Sequence, residues 1–166
     1  MALTRLSTLT SAIAVSLPLA VVAAPAQAQS VGVYDFDGAA SAINIDRVDY
    51  DFTADGVSAT VSIPGLRRKG SVSFFASLPY SDGITEARYV IRNGRLIKRY
   101  RSVGMEYTRI PCQLRGGWNA RTNLVKITIP EACLSDFATT DVLALETASK
   151  LGRFEDRTAA VELARG

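Results

Sequence analysis

No histidine occurs anywhere in the 166 residues. That one absence removes Ser-His-Asp and Cys-His catalysis, histidine general-base chemistry and the usual zinc and copper sites. The glycine pairs match neither a phosphate-binding loop nor a dinucleotide fingerprint. Enzymatic chemistry is thereby reduced to pairs of carboxylates, or to Ser-Lys nucleophiles for which no motif is present. Cysteine is scarce as well, with only Cys112 and Cys133. Long apolar runs are missing beyond residue 24. Tryptophan occurs once, at Trp118.

What the chain does have begins at its N-terminus. Arg5 precedes an apolar run over residues 12–24, and the stretch closes on Ala26, Gln27 and Ala28. A charged start, an apolar middle and small residues at positions −3 and −1 are the three parts of a signal peptide. A retained anchor would need about 20 apolar residues, whereas this run is shorter and carries Ser16 and Pro18. No cysteine follows at a position suited to lipid attachment. Cleavage is expected between Ala28 and Gln29, which makes residues 1–28 the signal and residues 29–166 a single domain. A domain of that length buries a sizeable core without metals. The exported part is expected to be soluble, with no membrane contact.

In an oxidising compartment two cysteines read as one bridge, Cys112–Cys133. Closing a loop of this size stabilises a domain by about 3 kcal/mol in the chain-entropy model. Charge is close to balanced after cleavage, with 18 Lys and Arg against 16 Asp and Glu, and predicts no nucleic-acid partner. Its distribution is uneven. Residues 35–55 hold six aspartates against Arg47, whereas residues 88–121 hold nine arginines and lysines. Cross-strand pairing of the two segments is the expectation. An anionic ligand on the basic half is the sharper alternative.

Period-two alternation dominates the remainder, as in half-buried strands. Val48, Tyr50 and Phe52 alternate with Asp49 and Asp51, and an Asp55-Gly56 turn leads to Val57, Ala59, Val61 and Ile63. The basic loop Arg67-Arg68-Lys69-Gly70 then opens a strand over residues 71–77. Residues 86–102 form a second hairpin around Asn93-Gly94, the strongest short-range hairpin signal. Further strands are predicted over residues 105–114, 124–129, 142–148 and 161–163, with one helical turn in 131–137. Residues 115–123 read as a loop, and residues 29–42 as a loosely held lead-in. Seven or eight short strands predict an antiparallel β-sandwich, jelly-roll or immunoglobulin-like. A closed barrel is the alternative.

Three groups of residues carry candidate chemistry. Asp35 and Asp37 in Asp-Phe-Asp-Gly supply closely spaced oxygens that a calcium ion could use, though without the EF-hand pattern. Trp118, flanked by Arg115 and Asn119, sits between the cysteines and could stack on a sugar or anchor a protein partner. The competing role for Trp118 is to plug the core or cover the disulfide. Asp49 and Asp51 share one strand face, together with Asp35, Asp37 and Asp46 the raw material for a carboxylate pair. That face is expected to be solvated. Tyr89, Tyr100 and Tyr107 are expected to pack across strands.

The signal sequence, Asn44-Ile45-Asp46-Arg47-Val48-Asp49-Tyr50, the Asp-Gly hairpin, and the run Cys112…Trp118…Val125-Lys126-Ile127-Thr128-Ile129-Pro130…Cys133-Leu134 together resemble small secreted actinobacterial β-sandwich proteins. The resemblance spans most of residues 43–137 and implies fold and export. Such proteins are distantly similar to jelly-roll carbohydrate-binding modules, whose Asp-rich calcium loop is represented here only by Asp35 and Asp37. The expectation is a secreted, non-enzymatic binding module at or beyond the bacterial envelope, with no obligatory cofactor and an extracellular protein or glycan as partner. A calcium-assisted carbohydrate-binding domain and a carboxylate glycosidase are the alternatives. Expressed in an export-competent bacterial host, the chain should be recovered outside the cytoplasm beginning at Gln29. N-terminal sequencing of a membrane-bound form that retains Met1 would contradict this.

Overall fold

Alternation over residues 47–62 produces a regular hairpin. In the computed structural model, which describes residues 29–34, 42–79, 83–103, 112–134 and 140–166, β2 (Arg47–Thr53) pairs antiparallel with β3 (Gly56–Ser62). Val48, Tyr50 and Phe52 are fully buried, as are Val57, Ala59 and Val61 opposite them. On its other edge β3 pairs with β8 (Leu124–Pro130), which turns Val125, Ile127 and Ile129 to the same side. β7 (Arg115–Asn119) and β1 (Gln29–Tyr34) complete a sheet ordered β1-β2-β3-β8-β7.

The second sheet covers that apolar face. Its centre is β4 (Gly70–Ser77), flanked by β5 (Ile84–Arg92) and β9 (Val142–Leu151). β6 (Arg95–Val103) lies outside β5. β10 (Phe154–Arg157) and β11 (Val161–Ala164) follow one another along the free edge of β9. Val72, Phe74 and Ala76, with Ala87, Tyr89, Leu143 and Leu145, meet the first sheet. The Tyr50 and Phe74 rings stack between the sheets, with centroids 5.8 Å apart. The fold is an antiparallel β-sandwich of eleven strands among the described residues, with one short 3-10 turn, η1 (Glu131–Cys133).

Several polar groups buried at the sheet interface are paired. The Tyr50 hydroxyl donates to Thr147 at 2.9 Å and lies 3.1 Å from Thr158 Oγ1. Asp156, itself buried, accepts from the Ile45 amide at 2.6 Å and fastens the approach to β2 onto β10. Towards β7, the hydroxyls of Tyr89 and Tyr100 donate to the carbonyls of Arg115 and Cys133. Lys98 Nζ donates to the Leu114 and Gly116 carbonyls at 3.1 and 3.0 Å. Cys112 and Cys133 are bridged, with Cα atoms 5.4 Å apart. The bridge holds the segment before β7 against η1.

Several expectations need correction. Residues 29–34 form β1, because Val31 and Val33 pack on the core while the glycine between them lies flat beside Asp49. Residues 115–119 are a strand and not a loop. The Gly116-Gly117 pair disguises it, and Gly116 is required there. Its φ is 106°, and a Cβ would stand 2.1 Å from the Lys126 carbonyl oxygen, which only glycine avoids. β10 is not predicted by periodicity, because Phe-Glu-Asp-Arg carries no apolar alternation. The helical turn is confined to Glu131–Cys133 in the described residues. The strand predicted over 105–114 falls mostly outside the described residues, and residues 112–114 are not strand. Among the described residues the Asp-rich and Arg-rich segments do not pair, since β5 and β6 belong to the other sheet and β7 is separated from β2 by β3 and β8.

Two measurements probe this core. Phe74→Ala should destabilise by about 3–5 kcal/mol in chemical denaturation, the cost of emptying a fully buried aromatic site. Burial also pushes the Tyr89 phenol up to about 12 from the ordinary 10.0, and raises Tyr50. The unfolded chain therefore sheds its phenolic protons first. The stability tied to these groups is complete below pH 10 and is lost as pH climbs through 12. The denaturation midpoint should fall over that interval, and Tyr89→Phe should flatten the decline.

Candidate functional site

Strand direction decides which connections share an end. β3 and β4 run antiparallel in separate sheets and are joined by the loop of residues 63–69, so the chain reverses at one end of the sandwich as it changes sheet. From there each strand alternates with the next. The turns β5–β6, β7–β8 and β9–β10 therefore return to that end. Local contacts tie them together. The Ile63 amide donates to the Asn123 carbonyl at 3.0 Å, joining the β3–β4 loop to the β7–β8 turn. Gly70 pairs with Ile91, next to the β5–β6 turn. A Cβ on Gly70 would stand 2.8 Å from the Lys150 carbonyl oxygen, beside the β9–β10 turn.

These four connections carry Arg67, Arg68, Lys69, Arg92, Arg95, Arg121 and Arg153, all exposed. None of the seven forms an ion pair among the described residues. Arg92 and Arg95 are direct cross-strand partners, an arrangement in which like charges repel. The turn between them, with Asn93 at φ 51° and Gly94 at 72°, keeps the two strands at close register. Two carboxylates near this end among the described residues, Glu155 and Asp49, are engaged by other cations. The Lys150 ammonium donates to Glu155 at 3.1 Å and holds its carboxyl below the usual range. Arg47 binds Asp49, and Asp46 stands close enough to add to the stabilisation of the Arg47 charge.

Elsewhere several cations do structural service. Glu86, buried on the outer face of the second sheet, meets Arg88 at 2.9 Å and Arg101 at 3.5 Å. Arg157 meets Glu146 at 2.9 Å and covers the Phe75 ring. Arg165 meets Glu131 at 2.9 Å and lies over Phe52. Arg99, Arg115 and Lys126 face solvent from their strands. The unpaired cations at the turns and the paired cations Arg88, Arg101, Arg157 and Arg165 form two populations, with Arg99, Arg115 and Lys126 belonging to neither.

The residues singled out in the sequence do not converge on one site. Trp118 turns inward from β7 to pack on the core, and its indole nitrogen donates to the Arg67 carbonyl at 3.0 Å. Arg115 and Asn119 lie on the opposite side of that strand. Asn119 is occupied in shaping the β7–β8 turn, accepting from the Arg121 and Thr122 amides at 3.0 and 3.3 Å. Asp49 and Asp51 share the outer face of the first sheet, where they contact Arg47 and Ser58 respectively. Asp35, Asp37 and Tyr107 lie outside the described residues, as do residues 1–28 including Ala28. Gln29 begins β1. Among the described residues no group of three or more His, Cys, Asp or Glu could hold a metal ion. No helix there is long and apolar enough to cross a membrane.

No protein-family profile matches the chain, and no curated protein matches it significantly. The cationic end was hidden in the sequence because its members come from four separate loops. The signal that points to it is the placement of Arg or Lys at or beside the β3–β4, β5–β6, β7–β8 and β9–β10 connections, which acquires meaning only once strand direction is known.

The two populations of cation should separate by stability. Combining Arg68→Ser, Arg95→Ser and Arg121→Ser should leave the melting temperature unchanged or slightly raised, since repulsion is relieved and no partner is lost. Glu86→Ala should instead cost about 1–3 kcal/mol by breaking a part-buried charged network.

Proposed function

We propose that this chain is an exported, non-enzymatic binding module that meets a polyanionic ligand with the cationic end of its sandwich. The observation that carries the reading is the direct opposition of Arg92 and Arg95, within a group of seven exposed cations that have no carboxylate partner among the described residues. Folding gains nothing from such an arrangement, because like charges held together oppose the compact state. An anionic ligand supplies the counter-charge that these seven cations lack among the described residues. Export rests on the N-terminal signal pattern and is consistent with the Cys112–Cys133 bridge. The non-enzymatic reading rests on the missing histidine and on the placement of Asp49 and Asp51 along one strand rather than across a cleft.

Heparin and long-chain polyphosphate serve as soluble polyanion probes. Each should bind, and affinity should fall steeply between roughly 50 and 200 mM salt as counter-ions compete. Arg68→Glu combined with Arg95→Glu should remove most of the binding while the protein stays folded. Binding that survives both substitutions, or that ignores salt, overturns the assignment of the surface. Turnover on a panel of ester, peptide and glycoside substrates overturns the non-enzymatic reading.

A further inference from the structure

The cationic end also gathers most of the exposed apolar bulk. Among the described residues four large hydrophobic side chains are exposed: Tyr34, Ile84, Leu124 and Phe154. Three of these stand at the cationic end. Phe154 begins β10 directly after the β9–β10 turn and is 53% exposed. Leu124 begins β8 directly after the β7–β8 turn. Tyr34 ends β1 opposite Arg47, which lies over its ring and donates to its hydroxyl at 2.8 Å. Arg153 lies over the Phe154 ring at 5.2 Å. Only Ile84 belongs to the opposite end, where β4 meets β5.

Cations interleaved with exposed aromatic and aliphatic side chains on several loop tips suit a flat anionic surface with an apolar interior. Arginine and lysine bind headgroup phosphates at the level where aromatic rings enter the acyl boundary. A nucleic-acid strand would instead use rings free to stack within a groove, and the single tryptophan is turned into the core. We propose that this end docks peripherally on an anionic phospholipid bilayer, with Phe154 and Leu124 entering the interface and the seven cations holding the headgroups. The proposal rests on the polyanion-binding reading and goes beyond it by naming the surface. It also departs from the expectation of a domain without membrane contact, which followed from the lack of a second apolar run. Surface docking needs no such run.

The test uses the disulfide-bonded protein recovered from an export-competent host. Cosedimentation is measured with vesicles of phosphatidylcholine alone and of phosphatidylcholine containing phosphatidylglycerol, with heparin and duplex DNA titrated in parallel. Binding should require phosphatidylglycerol and weaken about fivefold for each cation removed. Phe154→Ala should weaken vesicle binding by roughly tenfold while heparin affinity and the melting temperature stay unchanged. Salt-sensitive binding to heparin or DNA without binding to anionic vesicles overturns the bilayer assignment and leaves the polyanion reading standing. No binding to any of them overturns both. Vesicle binding that is indifferent to Phe154→Ala and Leu124→Ser overturns the proposal as stated, since apolar insertion is part of it.

Discussion

The crossing between β3 and β4 is the constraint on which the rest of this structure depends. Seven residues carry the chain out of one sheet and into the other, and Gly70 arrives between Ile91 and the Lys150 carbonyl with no room for a side chain. Once the chain reverses there, antiparallel pairing leaves no choice about where later turns fall. The β5–β6, β7–β8 and β9–β10 turns must return to the same end. Had the crossing been made by a longer arch to the opposite end, the β7–β8 turn with Arg121, fixed beside the end of β3, would lie far from Arg92, Arg95 and Arg153. The cationic surface is therefore a product of topology and not of any local motif.

Cohesion and binding are divided between different parts of the molecule. The interior relies on aliphatic and aromatic burial, with Tyr50 stacked on Phe74 and its hydroxyl satisfied by Thr147 and Thr158. The open side between β6 and β7 is clasped by Tyr89, Lys98 and Tyr100, whose polar tips bond carbonyls near the disulfide. Ion pairs line the outer face of the second sheet, where Glu86 and Arg157 anchor small networks. A pair between fully exposed loop side chains would contribute little, so leaving the loops unpaired costs the fold almost nothing. That economy leaves seven cations available for something outside the molecule.

Much of the sandwich was legible in the sequence. The β2–β3 hairpin, the Asn-Gly turn of β5–β6, the strands at 71–77 and 124–129 and the cysteine bridge all follow from local pattern. What was not legible depends on tertiary context. Gly116 and Gly117 look like a loop until the close approach of the Lys126 carbonyl is seen. The Phe154–Arg157 segment has no apolar alternation, because its one buried side chain is Asp156, held by the Ile45 amide. Trp118 resembles a ligand platform in the sequence, yet its ring packs on the core and its nitrogen fastens the β3–β4 loop. The cationic end is legible only at the level of topology. Its residues are spread from 67 to 153, and composition records a chain of nearly balanced charge.

The most direct test of a polyanion-binding end is amide chemical-shift mapping during titration with a short heparin oligosaccharide. The perturbed resonances should fall in the β3–β4 loop and in the turns around Asn93, Arg121 and Arg153, with the far turn at Asp55 unmoved. Perturbations centred on the outer face of either sheet, or on Asp55 and Asp141, would contradict it.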